Sequence, residues 1–259
     1  MSSLVVTIDI DWASDAAIDQ TLDYFANNNI PATLFSTHDS PVIDKALSVF
    51  DVGLHPFFGE GSSHGRSIPE ITQHVMDLPH NFKGFRCHRF GVCNSSKAAL
   101  LAAGMQISSN VCTNLEILPP FQDRFGLLEV PIFLEDGGYL WKNHPLEVTP
   151  SLALKLGEPM PKVIIIHPMH FALNSPTFDY MLNIKNTHTR HEWQTLSQSS
   201  LKQLHFTGRG IRDFIEDLIV ASPRTMSLRQ LCDTALKAHN PHTQLPARQN
   251  HSAPPEGIG

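Results

Sequence analysis

Two aspartates one residue apart, Asp9 and Asp11, follow the apolar run Leu4-Val5-Val6-Thr7-Ile8. Neither has a cation close to it in sequence, and an unpaired carboxylate is costly to bury, so the pair needs a metal ion or a basic partner. Taken alone it could equally be a solvated turn or a helix cap, because aspartate is a favoured capping residue. His55 lies in Gly53-Leu54-His55-Pro56, and His64 in Gly61-Ser62-Ser63-His64-Gly65. The small residues between them let the loop fold back, so that both imidazoles could meet one ion; either could also be an ordinary surface or hydrogen-bonded histidine. With Asp11 they offer one oxygen and two nitrogens and leave room for water. That donor set suits a divalent metal, zinc first, with Fe, Co, Ni or Mn as acceptable occupants.

Three more residues extend this chemistry. Arg86 opens Arg86-Cys87-His88-Arg89, and its fork of donors suits a carboxylate, although a surface position is an ordinary alternative. His167 ends the apolar run Val163-Ile164-Ile165-Ile166 and precedes Pro168-Met169-His170. A histidine held there near an acid is a candidate proton shuttle, and otherwise a hydrogen-bonded core histidine. Asp136, in Glu135-Asp136-Gly137-Gly138, is either such an acid or the first residue of a Gly-Gly turn.

The elements that must position these groups are short and alternate. Strands are expected at 4–8, 32–36, 52–54, 82–85, 105–109, 127–133 and 163–166, where β-branched and apolar residues cluster between turn signals. Ser14 can cap a helix carrying Ile18, Leu22 and Phe25. Further helices are expected at 43–49, at 68–78 behind the capping-box spacing Ser67 to Glu70, and at 94–103 between an Asn94 cap and Gly104. Two more are expected at 211–220 and 228–238. Alternation of this kind argues for a parallel α/β architecture. Asp9 and Asp11, His55, Arg86, Asp136 and His167 each fall at or just beyond the carboxyl end of an expected strand, where barrels and doubly wound sheets place their chemistry. The stretch 171–208 is polar, rich in histidine and weakly periodic, as a lid or insertion would be. Residues 1–238 are read as a single catalytic domain, and 239–259, without an apolar face, as a flexible tail.

Composition narrows the partners. The 259 residues suffice for one large α/β domain, and 41% hydrophobic against 17% charged residues is ordinary for a globular enzyme. A formal charge of -6 gives no footing for nucleic acid or an anionic membrane surface, so a small molecule is the expected partner. No run approaches the length of a membrane helix and no leader pattern opens the chain, which points to the cytoplasm. Cys87, Cys93, Cys112 and Cys232 form no C-x-x-C pair and are expected to be reduced and mostly structural.

In this order the residues resemble the polysaccharide deacetylases of carbohydrate esterase family 4, in particular their WbmS-like branch. Thr7-Ile8-Asp9-Ile10-Asp11 resembles the family's first motif, and His55-Pro56 with Gly61-Ser62-Ser63-His64-Gly65 the branch's form of its histidine motif. The resemblance implies a distorted (β/α)7 barrel, with Asp9 as catalytic base and Asp11, His55 and His64 as metal ligands. It also implies that Arg86 orients the base and that Asp136 tunes His167, the acid. The family's histidines are usually four apart whereas His55 and His64 are nine apart, which makes His64 the least secure ligand. Cys87-His88-Arg89 replaces the usual continuation toward a proline and brings His88, with His170, into consideration as additional site residues.

The expected activity is hydrolysis of an N-acyl group, acetyl by preference, on an amino sugar or related saccharide. Rival readings are hydrolysis of another C–N bond, such as a cyclic ureide or formamide, and a non-catalytic metal-dependent sugar-binding module. A phosphoesterase is disfavoured, because neither an early H-x-H pair nor a basic phosphate cradle is present.

Overall fold

The computed structural model describes residues 2–239. The expected tail therefore lies, apart from His239, outside the described residues. Strands β1 (Ser3–Asp9), β2 (Ala32–Ser36), β3 (Asp51–Leu54), β4 (Gly84–Phe85), β5 (Ile107–Ser108), β6 (Phe121–Gln122), β7 (Leu128–Glu129), β8 (Ile132–Glu135) and β9 (Pro161–Ile166) form one sheet in the order β6-β7-β5-β4-β3-β2-β1-β9-β8. All neighbours are parallel except β6 with β7. The sheet curls because residues 128–135 serve two neighbours. Leu128 and Glu129 pair with β5, and beyond Pro131, which cannot donate to a ladder, Ile132 to Glu135 pair with β9. A bridge from Cys112 to Ile132 strengthens the joint. Counted this way, β1 to β5, the bent strand and β9 make seven staves, the expected distorted (β/α)7 barrel.

Side-chain alternation then fixes what faces the lumen. Val5, Phe35, Ile132, Val163 and Ile165 come from four staves yet form one buried cluster, as only inward-facing residues of a curled sheet can. Leu4, Val6, Ile8, Ile164 and Ile166 point outward into a second cluster against α1 (Asp15–Asn27) and other helices. Each fully buried side chain of this size contributes roughly 1.5–3 kcal/mol. Following the inward parity upward, Val5 and Thr7 lead to Asp9, and Val163 and Ile165 lead to His167. The site residues are thus the top layer of the lumen. Its bottom is closed by helix 228–239, whose Leu228, Leu231 and Cys232 join the inner cluster.

Most outer helices begin where capping chemistry allows. Ser14 accepts from Ala17 N, as expected. Helix α2 (Pro41–Ala46) starts two residues earlier than expected because Ser40 caps it and Pro41 takes the first turn, and α3 (Ile68–Met76) is capped by Ser67. Helix α4 (Asn94–Ala102) is capped by Cys93 rather than Asn94, with Ser96 returning the bond to the Cys93 N–H. Cys87 and Cys232 are buried, whereas Cys93 and Cys112 are exposed, so only two of the four cysteines fill core; all are free thiols. Among the described residues no helix is long and apolar enough to cross a membrane.

The lumen also needs space. A Cβ on Gly53 would lie 2.5 Å from the Gly84 carbonyl oxygen and 3.0 Å from the Phe35 ring. Gly53→Ala should therefore lower stability by about 1–3 kcal/mol, an overpacking effect readable as a fall in urea midpoint. An unchanged midpoint would show that β3 and β4 can part without cost.

Candidate active site

Asp9 ends β1 facing the lumen and is 2% exposed. Its Oδ1 accepts from Arg86 Nη1 at 2.7 Å. Arg86 is fully buried just beyond β4, and all its remaining contacts hold it still. Nη1 also donates to Thr7 Oγ1, Nε to the Ser109 carbonyl and Nη2 to Ser109 Oγ, while the guanidinium carbon lies 4.5 Å from the centre of the Phe35 ring. The cation that Asp9 lacked in sequence is thus supplied from 77 residues away, and Asp9 Oδ2 is left toward His55 Nδ1 at 3.8 Å.

Asp11 and Trp12 follow with φ of 42° and 54°, a left-handed pair that turns the chain sharply over the barrel mouth. Such residues cost on the order of 1–3 kcal/mol each and persist where surrounding structure over-determines them. The turn brings Asp11 Oδ1 to 3.0 Å from His55 Nε2 and 2.9 Å from His88 Nδ1. Burial alone would raise the Asp11 pKa, but the two imidazoles and the charge of His167 outweigh it and hold it well below the usual value. Asp11, His55 and His88 each offer a donor atom within 4.8 Å of the others. His55 carries the decisive detail: both ring nitrogens are buried without a hydrogen-bond partner, so Nε2 and the carboxylate are close without being aligned on each other. A buried imidazole left so is expensive unless a third body completes it. One oxygen and two nitrogens around a common point fit a divalent metal ion.

The structure does not bring His64 into this group. Its Nδ1 accepts from Phe57 N at 3.1 Å and its Nε2 contacts the Thr37 carbonyl at 2.8 Å, so both nitrogens are committed. The contact with the Thr37 carbonyl places the ring proton on Nε2. Burial drives its pKa down to about 4 despite that carbonyl, with His74, His55 and His88 assisting. The ring stacks on His74 and leans on Trp12, fastening the loop that carries His55. The third donor is instead His88, placed by a short 3-10 turn (His88–Phe90) in which Arg89 and Phe90 are both left-handed.

On the opposite side, His167 follows β9. Asp136 is fully buried; its Oδ1 meets His167 Nδ1 at 2.5 Å and accepts from Gly137 N, while Oδ2 accepts from His167 N. Burial opposes the imidazolium, but Asp136, then Asp11 and Glu135, hold the His167 pKa well above its usual value. The Gly-Gly turn that stood as the alternative for Asp136 is in fact the start of a helix, α5 (Asp136–Trp141), with Glu135 accepting from Gly138 N. A Cβ on Gly137 or Gly138 would stand 2.6 or 2.5 Å from the Glu135 carboxylate, so the glycines make room for that side chain. Glu135 Oε1 is 3.6 Å from His167 Nδ1, and burial, with Asp136, raises its pKa against the opposing His167. The sequence reading passed over Glu135; the paired glycines were its signal. His170 is buried with Nδ1 unpartnered, and burial lowers its pKa to about 4, against Asp136 and Asp11 but with His167 and Lys185.

Asp9, Asp11, His55, His88, Glu135, His167 and His170 line one cavity of about 480 Å³. Its outer wall comes from the stretch read as a lid or insertion, which forms a run of short helices including α6 (Phe178–Asn186) and α7 (Arg190–Gln194) capped by Thr177 and Thr189. Phe178, Met181, Lys185 and Trp193 of that stretch face the cavity.

A parallel barrel with acids and histidines at the carboxyl end of its strands carries them where barrel enzymes place their chemistry. Residues 6–185 match the WbmS-like polysaccharide deacetylase family, and the chain belongs to that family. A solved structure from Bordetella bronchiseptica, assigned as a polysaccharide deacetylase involved in O-antigen biosynthesis, superposes with a TM-score of 0.73 at 22% identity, covering 84% of this chain and 89% of that one. Another from Mycobacterium smegmatis, assigned as a polysaccharide deacetylase, gives 0.54 at 12% identity and covers 92% of each chain. At these identities the likeness is one of fold. No curated protein sequence matches significantly.

Two substitutions separate the histidines. His88→Ala should lose stoichiometric divalent metal, whereas His64→Gln should retain it, both read by elemental analysis of purified protein. His64 has a further signature. Its folded pKa is depressed, so between about 6.5 and 4 the unfolded chain takes up a proton that the folded one refuses, and stability falls as pH drops through that window. His64→Gln should flatten this fall. Metal loss in His64→Gln with full metal in His88→Ala would reverse the assignment.

Proposed function

We propose that the protein is a metal-dependent hydrolase that removes an N-acetyl group from an amino sugar or related saccharide. The observation that carries this reading is the meeting, in one cavity, of an Arg86-held aspartate, a three-donor metal cradle and an Asp136-held histidine. A divalent ion in the Asp11, His55 and His88 cradle, zinc by preference, would supply Lewis acidity toward the amide carbonyl and its attacking water.

The chain's own groups divide the proton work. Arg86 occupies Asp9 Oδ1, leaving Oδ2 free of hydrogen bonds among the described residues and available to take the proton of the attacking water. His167 is the complementary acid. With Nδ1 fixed by Asp136, its Nε2 lies 3.6 Å from Asp11 Oδ2 beside the cradle and carries the proton that a departing amine requires. A positioned acid or base of this kind is worth roughly 10²–10⁴-fold. Glu135 and His170 line the same cavity and are available to hydroxyl groups of a sugar. A sugar-binding module would have no use for a histidine held protonated beside the cradle, and hydrolysis of a cyclic ureide would show as amine release from ureides but not from acylated sugars.

Asp9→Asn should keep its metal and fold yet lose at least ~10²-fold in kcat, measured as acetate release across a panel of acylated sugars. His167→Ala should be hurt more on an acetamide than on the matching acetate ester, since an alcohol leaves with less help than an amine. Equal losses on amide and ester would make His167 a binding or structural group.

A further inference from the structure

Two cations stand in the cavity wall without an acid to neutralise them. Arg89 and Lys185 both line the cavity and are exposed, and among the described residues neither forms an ion pair. Some cations elsewhere in the chain are paired: Lys97 with Asp123 and Glu129, Arg209 with Asp217, Arg212 with Glu216 and Arg229 with Asp51. In a protein with 25 acidic against 19 basic residues, both of these cations line the cavity that holds the site.

Both are placed by specific structure. Arg89 sits at φ 56°, ψ 24° in the left-handed turn that also aims His88 at Asp11, so that His88, Arg89 and Phe90 all face one cavity, which an extended segment could not arrange. Lys185 comes from the other wall, in the last turn of α6, with its ammonium 5.8 Å from the centre of the Trp193 ring. Its charge is felt at His170 inside the cavity. The acids deeper in face other partners: Asp9 has Arg86, Asp11 has His55 and His88, Asp136 has His167, and Glu135 accepts from Gly138 N with His167 Nδ1 3.6 Å away. The cations at the opening are therefore left for something that enters from solution.

We propose that the substrate carries, besides its N-acyl group, an anionic substituent, a carboxylate or a phosphate, received by Arg89 and Lys185 at the cavity opening. This rests on the deacetylase reading and narrows its substrate class. Arg89 offers a planar fork that accepts two oxygens at once, and Lys185 a point charge across from it. Trp141, 67% exposed on the same cavity, gives an apolar ring face on which a sugar can lie between the reacting amide and the anion.

The test compares neutral N-acetylhexosamines with their 6-carboxylate (uronic acid) and 1-phosphate forms, in gluco and galacto series, on metal-loaded protein. Acetate release and calorimetric binding are both followed. An anionic form should exceed its neutral parent by about tenfold or more in kcat/KM and in affinity, the size of one charge-assisted contact, and the advantage should shrink as salt rises. The arm that shows the advantage, carboxylate or phosphate, identifies the source of the anion. Lys185→Met, which keeps the stem over Trp193, and Arg89→Gln should each cut the anionic form's kcat/KM about tenfold more than the neutral one's, mainly through KM. Preferential binding of an anionic sugar, lost in these variants, without acetate release from any sugar would uphold the anion site and defeat the deacetylase reading. Neutral and anionic sugars bound and hydrolysed alike, or a preference that survives in the double variant, would overturn the proposal.

Discussion

The buried ion pair of Arg86 and Asp9 is the constraint around which the barrel mouth is arranged. Two charges almost wholly removed from water are tolerable only when their geometry is good and their other donors are satisfied; deleting one partner of such a pair costs roughly 3–5 kcal/mol. Thr7, Ser109 and the face of Phe35 complete the guanidinium. Gly53 is then required beneath, since a larger residue would press on Phe35 and the neighbouring strand. The pair fixes one carboxylate oxygen of Asp9 and turns the other to the cavity, which is where a base is needed.

From that anchor the charges sort by partner. Asp9 has an arginine, Asp136 a histidine and two backbone N–H groups, and Asp11 two imidazoles, one of which is left incompletely satisfied. In a site otherwise dense with hydrogen bonds, His55 lacks a partner on both ring nitrogens, whereas His170 lacks one on Nδ1 alone. Left-handed residue pairs at Asp11–Trp12 and Arg89–Phe90 bring the carboxylate and the second imidazole to it from opposite loops. Strain that a surface loop would relax is retained here because both turns are pinned, the first by Trp12 against His64 and the second by Phe57 against His88.

Much of this was legible in the sequence because short apolar runs that end in a functional group mark strands and their carboxyl ends together. Leu4 to Ile8 before Asp9, and Val163 to Ile166 before His167, read as such strands, and β1 and β9 follow them. The histidine loop was not legible. Spacing says that His55 and His64 can approach, but which nitrogen remains free depends on where Phe57 N–H and the Thr37 carbonyl come to lie, a matter of tertiary folding. The Gly137-Gly138 pair left a turn open as the alternative, whereas its smallness serves the Glu135 carboxylate at a helix start. The cavity's outer wall was hidden by the short, polar helices of the stretch after β9, whose caps at Thr177 and Thr189 are present in sequence but whose apolar faces are too brief to give a period.

The central claim is that Asp11, His55 and His88 form the metal centre and that the Glu135, Asp136 and His167 group beside it is proton machinery. Both trios have donor atoms within 4.8 Å of one another, so composition alone does not separate them. Anomalous diffraction at the absorption edge of the resident metal, from crystals of the purified protein, separates them directly. The account predicts one peak bounded by the Asp11 carboxylate, His55 Nε2 and His88 Nδ1, with the contact between His167 and Asp136 intact. A peak coordinated by Glu135, Asp136 and His167, or one that takes His64 in place of His88, would contradict it.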